Sequence, residues 1–145
     1  MQLHRHFDLS EANALVPLVR ETFARVRPLH TELQQRAVEL VELGQEINIQ
    51  HHEGPLPVDL VSQKAALHRL ALQIHRTLRG IVERGVEVKG VDGLVDFRSK
   101  YCGRVVYLCW HWDEPEIHCF HELDGGFAGR RVIDDPAAFF GDPVN

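Results

Sequence analysis

Val19, Val26, Leu33, Leu40 and Ile47 recur every seven residues, and Leu15, Leu18, Phe23, Leu29, Ala37 and Leu43 widen the line they draw. A repeat of that period gathers apolar side chains on one helix face, here over about 38 residues or roughly 57 Å at the helical rise. A stripe that long has to pack on something. Ser10 offers an N-cap hydroxyl, with Phe7 and Leu9 before it, and Glu11 meets the positive end of the helix. Pro17 and Pro28 each remove a ladder hydrogen bond inside the pattern, so bends are expected there. A first helix is predicted over residues 10–50.

The segment Gln50-His51-His52-Glu53-Gly54-Pro55-Leu56-Pro57 interrupts the repeat and reads as a turn. A second helix is predicted over residues 58–84, on Leu60, Leu67, Ile74 and Ile81 with Leu70, Ala71 and Leu78 beside them, and Gly85 ends it in the left-handed conformation. Two such helices joined by a short loop make an antiparallel hairpin. The first stripe is the longer, and its surplus predicts either a sheet packed on it or a homodimer. His68 and His75 are two turns apart, too far to share one ion without further ligands, and with His30 they read as seam-edge or surface histidines.

After Gly85 the period changes from helical to extended. Val86-Glu87-Val88 alternates, Leu94-Val95-Asp96-Phe97 is a short apolar run, and Arg104 to Trp112 is rich in Val, Tyr and Trp. Asp113-Glu114-Pro115-Glu116 reads as a turn and Ile117 to Glu122 as the returning strand. With Trp112 set against Ile117, Leu108, Trp110, Trp112, Ile117, Cys119 and His121 share the face turned to the helices. Tyr107, Cys109, His111, His118, Phe120 and Glu122 share the other. A slip of one residue exchanges these sets. The tail from Asp134 to Asn145 carries Pro136 at a helix first position and then Phe139 and Phe140, which predict docking.

The predicted class is therefore α+β: a long antiparallel helical hairpin with a small antiparallel three- or four-stranded β-meander over residues 86–133 packed on it, then a tail over 134–145. With 145 residues and 44 % apolar side chains the chain is expected to form a single domain, 1–145, without a disulfide scaffold. No run of about 18 apolar residues exists, and Met1-Gln2-Leu3-His4-Arg5-His6 lacks a signal peptide's apolar stretch, so no membrane association and a cytoplasmic location are expected. Cys102, Cys109 and Cys119 form no C-x-x-C pair and read as small hydrophobes of a reducing compartment. A net charge of −5, and seven basic against eight acidic side chains from Arg84 to Arg131, argue against nucleic acid as a partner.

Three constellations bear chemistry. In the register above His111 stands opposite His118, at about 5 Å between Cβ atoms, so the two imidazoles can share a divalent ion with Cys109 or Glu122 as third ligand. Half-exposed cross-strand histidines are the plainer reading. His121 and Glu122 are adjacent and point to opposite faces, and His-Glu-Leu-Asp-Gly lacks the second histidine of a zinc protease. On the apolar face His121 needs a hydrogen-bond partner, expected from a helix. In Gly125-Gly126-Phe127-Ala128-Gly129-Arg130-Arg131, glycine N–H groups and arginine can hold an anion. A turn closing the sheet explains the same residues, with Phe127 in the core, Arg130 paired to Asp96 or Glu122, and Arg104, opposite Phe97, joining the ion pairs.

Phe7-x-Leu9-Ser10-Glu11-Ala12-Asn13-x-Leu15-x-Pro17, Gly93-Leu94-Val95-Asp96-Phe97, Gly103-Arg104-x-Val106-Tyr107-Leu108-Cys109-Trp110, His121-Glu122 and Gly126-Phe127-x-Gly129-Arg130 together resemble the domain-of-unknown-function 2203 family of small bacterial proteins. The resemblance extends to about Ile133 and implies a stand-alone cytoplasmic protein with no established activity. The polar positions that match the family pattern are Glu11, Asn13, Asp96, Arg104, His121, Glu122 and Arg130; His111 and His118 are not part of it.

Those seven positions are expected to converge, either as a buried polar network that fixes the sheet on the hairpin or as an anionic-ligand pocket. The leading expectation is a non-enzymatic interaction or regulatory module, homodimeric through its helices, with a further protein partner and no cofactor. The alternatives are a small-molecule binding protein or enzyme using His121 as acid or base, with Arg104 and Arg130 on an anionic ligand, and a divalent-metal protein, with zinc at His111, His118, Cys109 and Glu122.

Overall fold

The computed structural model describes residues 4–47 and 53–143. Helix α1 spans Leu9–Ile47 and runs on through Pro17 and Pro28. Its N-cap is Asp8 rather than Ser10. Asp8 Oδ1 accepts from the Glu11 N–H at 2.7 Å while Glu11 Oε1 accepts from the Asp8 N–H at 3.0 Å, a capping box that satisfies two backbone donors reciprocally. Helix α2 spans Val58–Val82, and the chain leaves it through Gly85 at φ +98°. Residues 48–50 of the predicted first helix, and His51 and His52 of the turn, lie outside the described residues.

The sheet is antiparallel and larger than the three or four strands read from the sequence. Strands β1 (Glu87–Gly90), β2 (Leu94–Tyr101), β3 (Arg104–His111), β4 (Cys119–Glu122) and β5 (Arg131–Val132) follow one another in order. A sixth, β6 (Phe139–Phe140), pairs with the far end of β2, Lys100 against Phe140 and Tyr101 against Phe139. The docked tail is thus part of the sheet. Between β1 and β6 the Phe7 N–H donates to the Arg98 carbonyl at 2.7 Å, so the segment ahead of α1 also occupies the β2 edge.

The β3–β4 register differs by one residue from the one predicted. Leu108 pairs with Phe120, Cys109 with Cys119, and Tyr107 with His121. The cause lies in the connection. The Glu114 N–H donates to the His111 carbonyl at 2.9 Å, the Glu114 carbonyl accepts from Trp110 Nε1, and its carboxylate accepts from the His111 N–H. The turn therefore begins at His111 and takes Trp112 out of the strand. The Ile117 N–H donates to Asn13 Oδ1 on α1 at 2.8 Å. The slip exchanges faces on β4: Phe120 enters the helix-facing layer, and Cys119 and His121 turn to the far side.

The core lies between that layer and the first half of α1. Ala12, Val16, Val19, Phe23 and Val26 of α1 and Ile74 and Ile81 of α2 meet Val95, Phe97, Val106, Leu108, Trp110 and Phe120, all buried. Phe7 stacks edge-on to Phe97 at 5.3 Å between ring centroids. Beyond Val26 the apolar repeat of α1 continues, and there it packs on α2, where Leu60 and Leu70 are buried. Phe127, expected in the core, is instead 47 % exposed.

Candidate functional site

Alternation along three adjacent strands sets Asp96 of β2, Cys109 of β3 and His121 of β4 on the sheet face turned away from the helices. Asp96 pairs with Cys109 in the backbone register, so the thiol sits under the place where the two outer side chains meet. His121 Nε2 and Asp96 Oδ1 are 3.1 Å apart, and both side chains are 4 % exposed. The other ring nitrogen, Nδ1, is 2.7 Å from the Glu122 carbonyl oxygen. A carbonyl only accepts, so Nδ1 carries a proton and donates it. One further proton then lies between Nε2 and Oδ1.

Burial holds the Asp96 carboxyl above its ordinary value, against the opposing pull of His121 and Lys89. Burial likewise pushes the Cys109 thiol up to about 12, with the Asp96 charge adding to the effect. A thiol so placed is protonated near neutral pH and is a poor nucleophile. Around this centre Lys89 Nζ lies 3.7 Å from Asp96 Oδ2 and 4.2 Å from the centroid of the Tyr107 ring. The Tyr107 hydroxyl donates to Glu87 at 2.9 Å, and Arg98 Nε donates to the same carboxylate at 2.8 Å.

The seven positions marked by the family pattern are not drawn into one site. Asp96 and His121 meet, but Glu11 is spent on the helix cap and Asn13 on the Ile117 N–H. Arg104 holds Glu122, which also accepts from Arg131 at 2.8 Å, on the opposite sheet face from His121. Arg104 pairs in register with Tyr101 rather than Phe97. Arg130 pairs with neither Asp96 nor Glu122; its terminal nitrogen donates to both carboxylate oxygens of Glu114 at 2.7 and 2.6 Å.

The four residues of the alternative metal site are separated too. His111 contacts Asp113 through Nδ1 at 2.6 Å, and His118 Nε2 lies 3.1 Å from Glu114 Oε2. Cys109 faces Asp96 and His121, while Glu122 is taken by the two arginines. Among the described residues, the one group of three side chains whose donor atoms converge as metal ligands do is Asp96, Cys109 and His121.

A family model described as "Uncharacterized conserved protein (DUF2203)" matches residues 5–133. The chain belongs to this family. The match covers the hairpin and the sheet as far as β5 and ends short of β6. No curated protein and no solved structure matches this DUF2203 chain. Two of the residues that organise its polar interior were not singled out from the sequence. Lys89 is two positions from Glu87 on β1, a spacing that puts both beside Asp96, and Glu114 stood in what read as an ordinary acidic turn.

Proposed function

We propose that this protein is a non-enzymatic interaction module that pairs with a second copy of itself through the part of the hairpin extending past the sheet. The observation that carries this reading is a set of exposed aliphatic side chains there: Val38 (59 %), Val41 (60 %), Val58 (79 %) and Val61 (53 %). At 100° per residue Val38 and Val41 flank the same side of α1, and Val58 and Val61 the same side of α2. Because the helices are antiparallel, the start of α2 lies beside the C-terminal part of α1, and both pairs fall on the same end of the hairpin. Each such side chain gains roughly 1.5–3 kcal/mol when fully buried, which favours covering them.

Charge supports a like partner. From Thr31 to Ile47, α1 carries four glutamates against Arg36, whereas α2 carries Lys64, Arg69, Arg76 and Arg79 against Asp59. A two-fold pair of hairpins sets α1 of one copy against α2 of the other and matches these signs. The polar centre supports the non-enzymatic part of the reading. Both ring nitrogens of His121 are engaged internally, and Arg104 and Arg130 each face a carboxylate of their own chain. No helix of the described residues is long and apolar enough to cross a membrane. A reducing, cytoplasmic setting suits Cys109 and Cys119, which are register partners yet both free thiols.

Light scattering on the protein at micromolar concentration tests the pairing: a mass of twice 16.6 kDa is expected. The double variant Val41→Glu, Val61→Glu alters exposed positions only and is expected to give a folded monomer. A monodisperse wild-type monomer overturns the reading.

A further inference from the structure

We propose that Asp96, Cys109 and His121 form a binding site for a divalent cation of the zinc class. The inference is independent of the hairpin pairing.

The donor atoms, one carboxylate oxygen, one thiol sulfur and one imidazole nitrogen, all lie within 4.8 Å of one another. A tetrahedral ion with ligands at about 2.0–2.3 Å separates them by roughly 3.3–3.6 Å. The carboxylate and imidazole are already 3.1 Å apart, close to that separation. The three residues come from three hydrogen-bonded strands, which fixes their spacing. A second observation points the same way. His121 donates its Nδ1–H to the Glu122 carbonyl at 2.7 Å, which turns Nε2 toward the cluster, the arrangement by which a metal-ligating histidine is usually held.

The nitrogen, sulfur and carboxylate donors select a borderline-soft ion over magnesium or calcium, which take oxygen ligands. Coordination displaces two protons, the Cys109 thiol proton and the one between His121 and Asp96, and leaves thiolate and carboxylate on the dication. Three protein ligands leave a fourth position. Lys89, 3.7 Å from Asp96 Oδ2 and 39 % exposed, stands on the approach, where its charge opposes an incoming cation.

Cobalt(II) titration of untagged, chelator-stripped protein tests the site. The expected result is one equivalent bound with a thiolate-to-cobalt charge-transfer band in the near ultraviolet, displaced by zinc. The band is expected to persist in the His111→Ala, His118→Ala double variant and to vanish in Cys109→Ser, with circular dichroism reporting the fold of each. Lys89→Met lies outside the donor set and is expected to tighten cobalt binding about tenfold. That variant keeps the test open if Cys109→Ser does not fold. Absence of the band from the wild type, its survival in folded Cys109→Ser, or unchanged affinity in Lys89→Met overturns the proposal.

Discussion

His121 Nε2 and Asp96 Oδ1 meet at 3.1 Å above strand β3, reaching over it from the two strands on either side. Three strands are thereby tied through side chains on the face that the helices do not cover. Each partner is buried, so removing His121 leaves Asp96 with the more distant and half-exposed Lys89, 3.7 Å from its Oδ2, as its charged neighbour. In metal-free protein, His121→Leu is expected to cost about 3–5 kcal/mol in urea denaturation, and the Asp96→Leu, His121→Leu double variant less than that single change. Additive losses in the double variant contradict the coupling.

Glu114 is expected to matter as much to stability, although it lies in a turn. Its carboxylate accepts from Arg130, from the His111 N–H and faces His118, and its side chain is 10 % exposed against 16 % for Arg130. Glu114→Ala strands a mostly buried guanidinium and is expected to cost about 3 kcal/mol. Thermal unfolding of the variant checks this, and a loss within about 0.5 kcal/mol of wild type refutes it.

His111 gives the protein a defined pH response. The Asp113 hydrogen bond at 2.6 Å raises the His111 pKa above its ordinary 6.5, and the same contact lowers Asp113 below 3.8. The raised histidine stabilises the fold fully below 6.5, and that contribution is lost as pH climbs through its folded pKa. The lowered carboxylate stabilises above 3.8 and ceases to as pH falls through its own folded value. The pair therefore acts between these limits. An NMR titration is expected to place the His111 midpoint above 6.5, and Asp113→Asn to move it down; a midpoint unaffected by that change argues against the contact.

Two glycines with positive φ are expected to respond differently to alanine. Gly93 has φ +119°, and an added Cβ meets Trp112 Cβ at 2.7 Å. Gly103 has φ +75° in the β2–β3 turn and open space around it. Gly93→Ala combines backbone strain with a steric conflict and is expected to cost about 1–3 kcal/mol, more than Gly103→Ala. Equal denaturation midpoints for the two variants contradict this.

The hairpin was readable because its signal is redundant: Val19, Val26, Leu60, Leu70, Ile74 and Ile81 each report the same buried seam. The polar centre was readable only in part. Asp96 and His121 were both singled out, but their meeting depends on the β4 register, which shifts every side chain to the other face on a one-residue slip. That register is set by Glu114 and Asn13, neither of which announces in sequence that it will cap a strand end. Strand β6 was hidden for a related reason. Two phenylalanines carry no period, and they become a strand only because Lys100 and Tyr101 lie beside them.

The way the sheet is finished bears on how the molecule behaves in a crowd. The long β2 edge is shared out among β1, the Phe7 segment and β6, and the strands left outermost are β1, four residues long, and β5 and β6, two residues long each. Lys89 on β1 and Arg131 on β5 add charge at these margins. Among the described residues, none of these three strands offers an incoming chain a long ladder to extend. Val132 of β5 and Phe140 of β6 are exposed at these margins, but on strands of only two residues they offer side-chain contact without a backbone ladder.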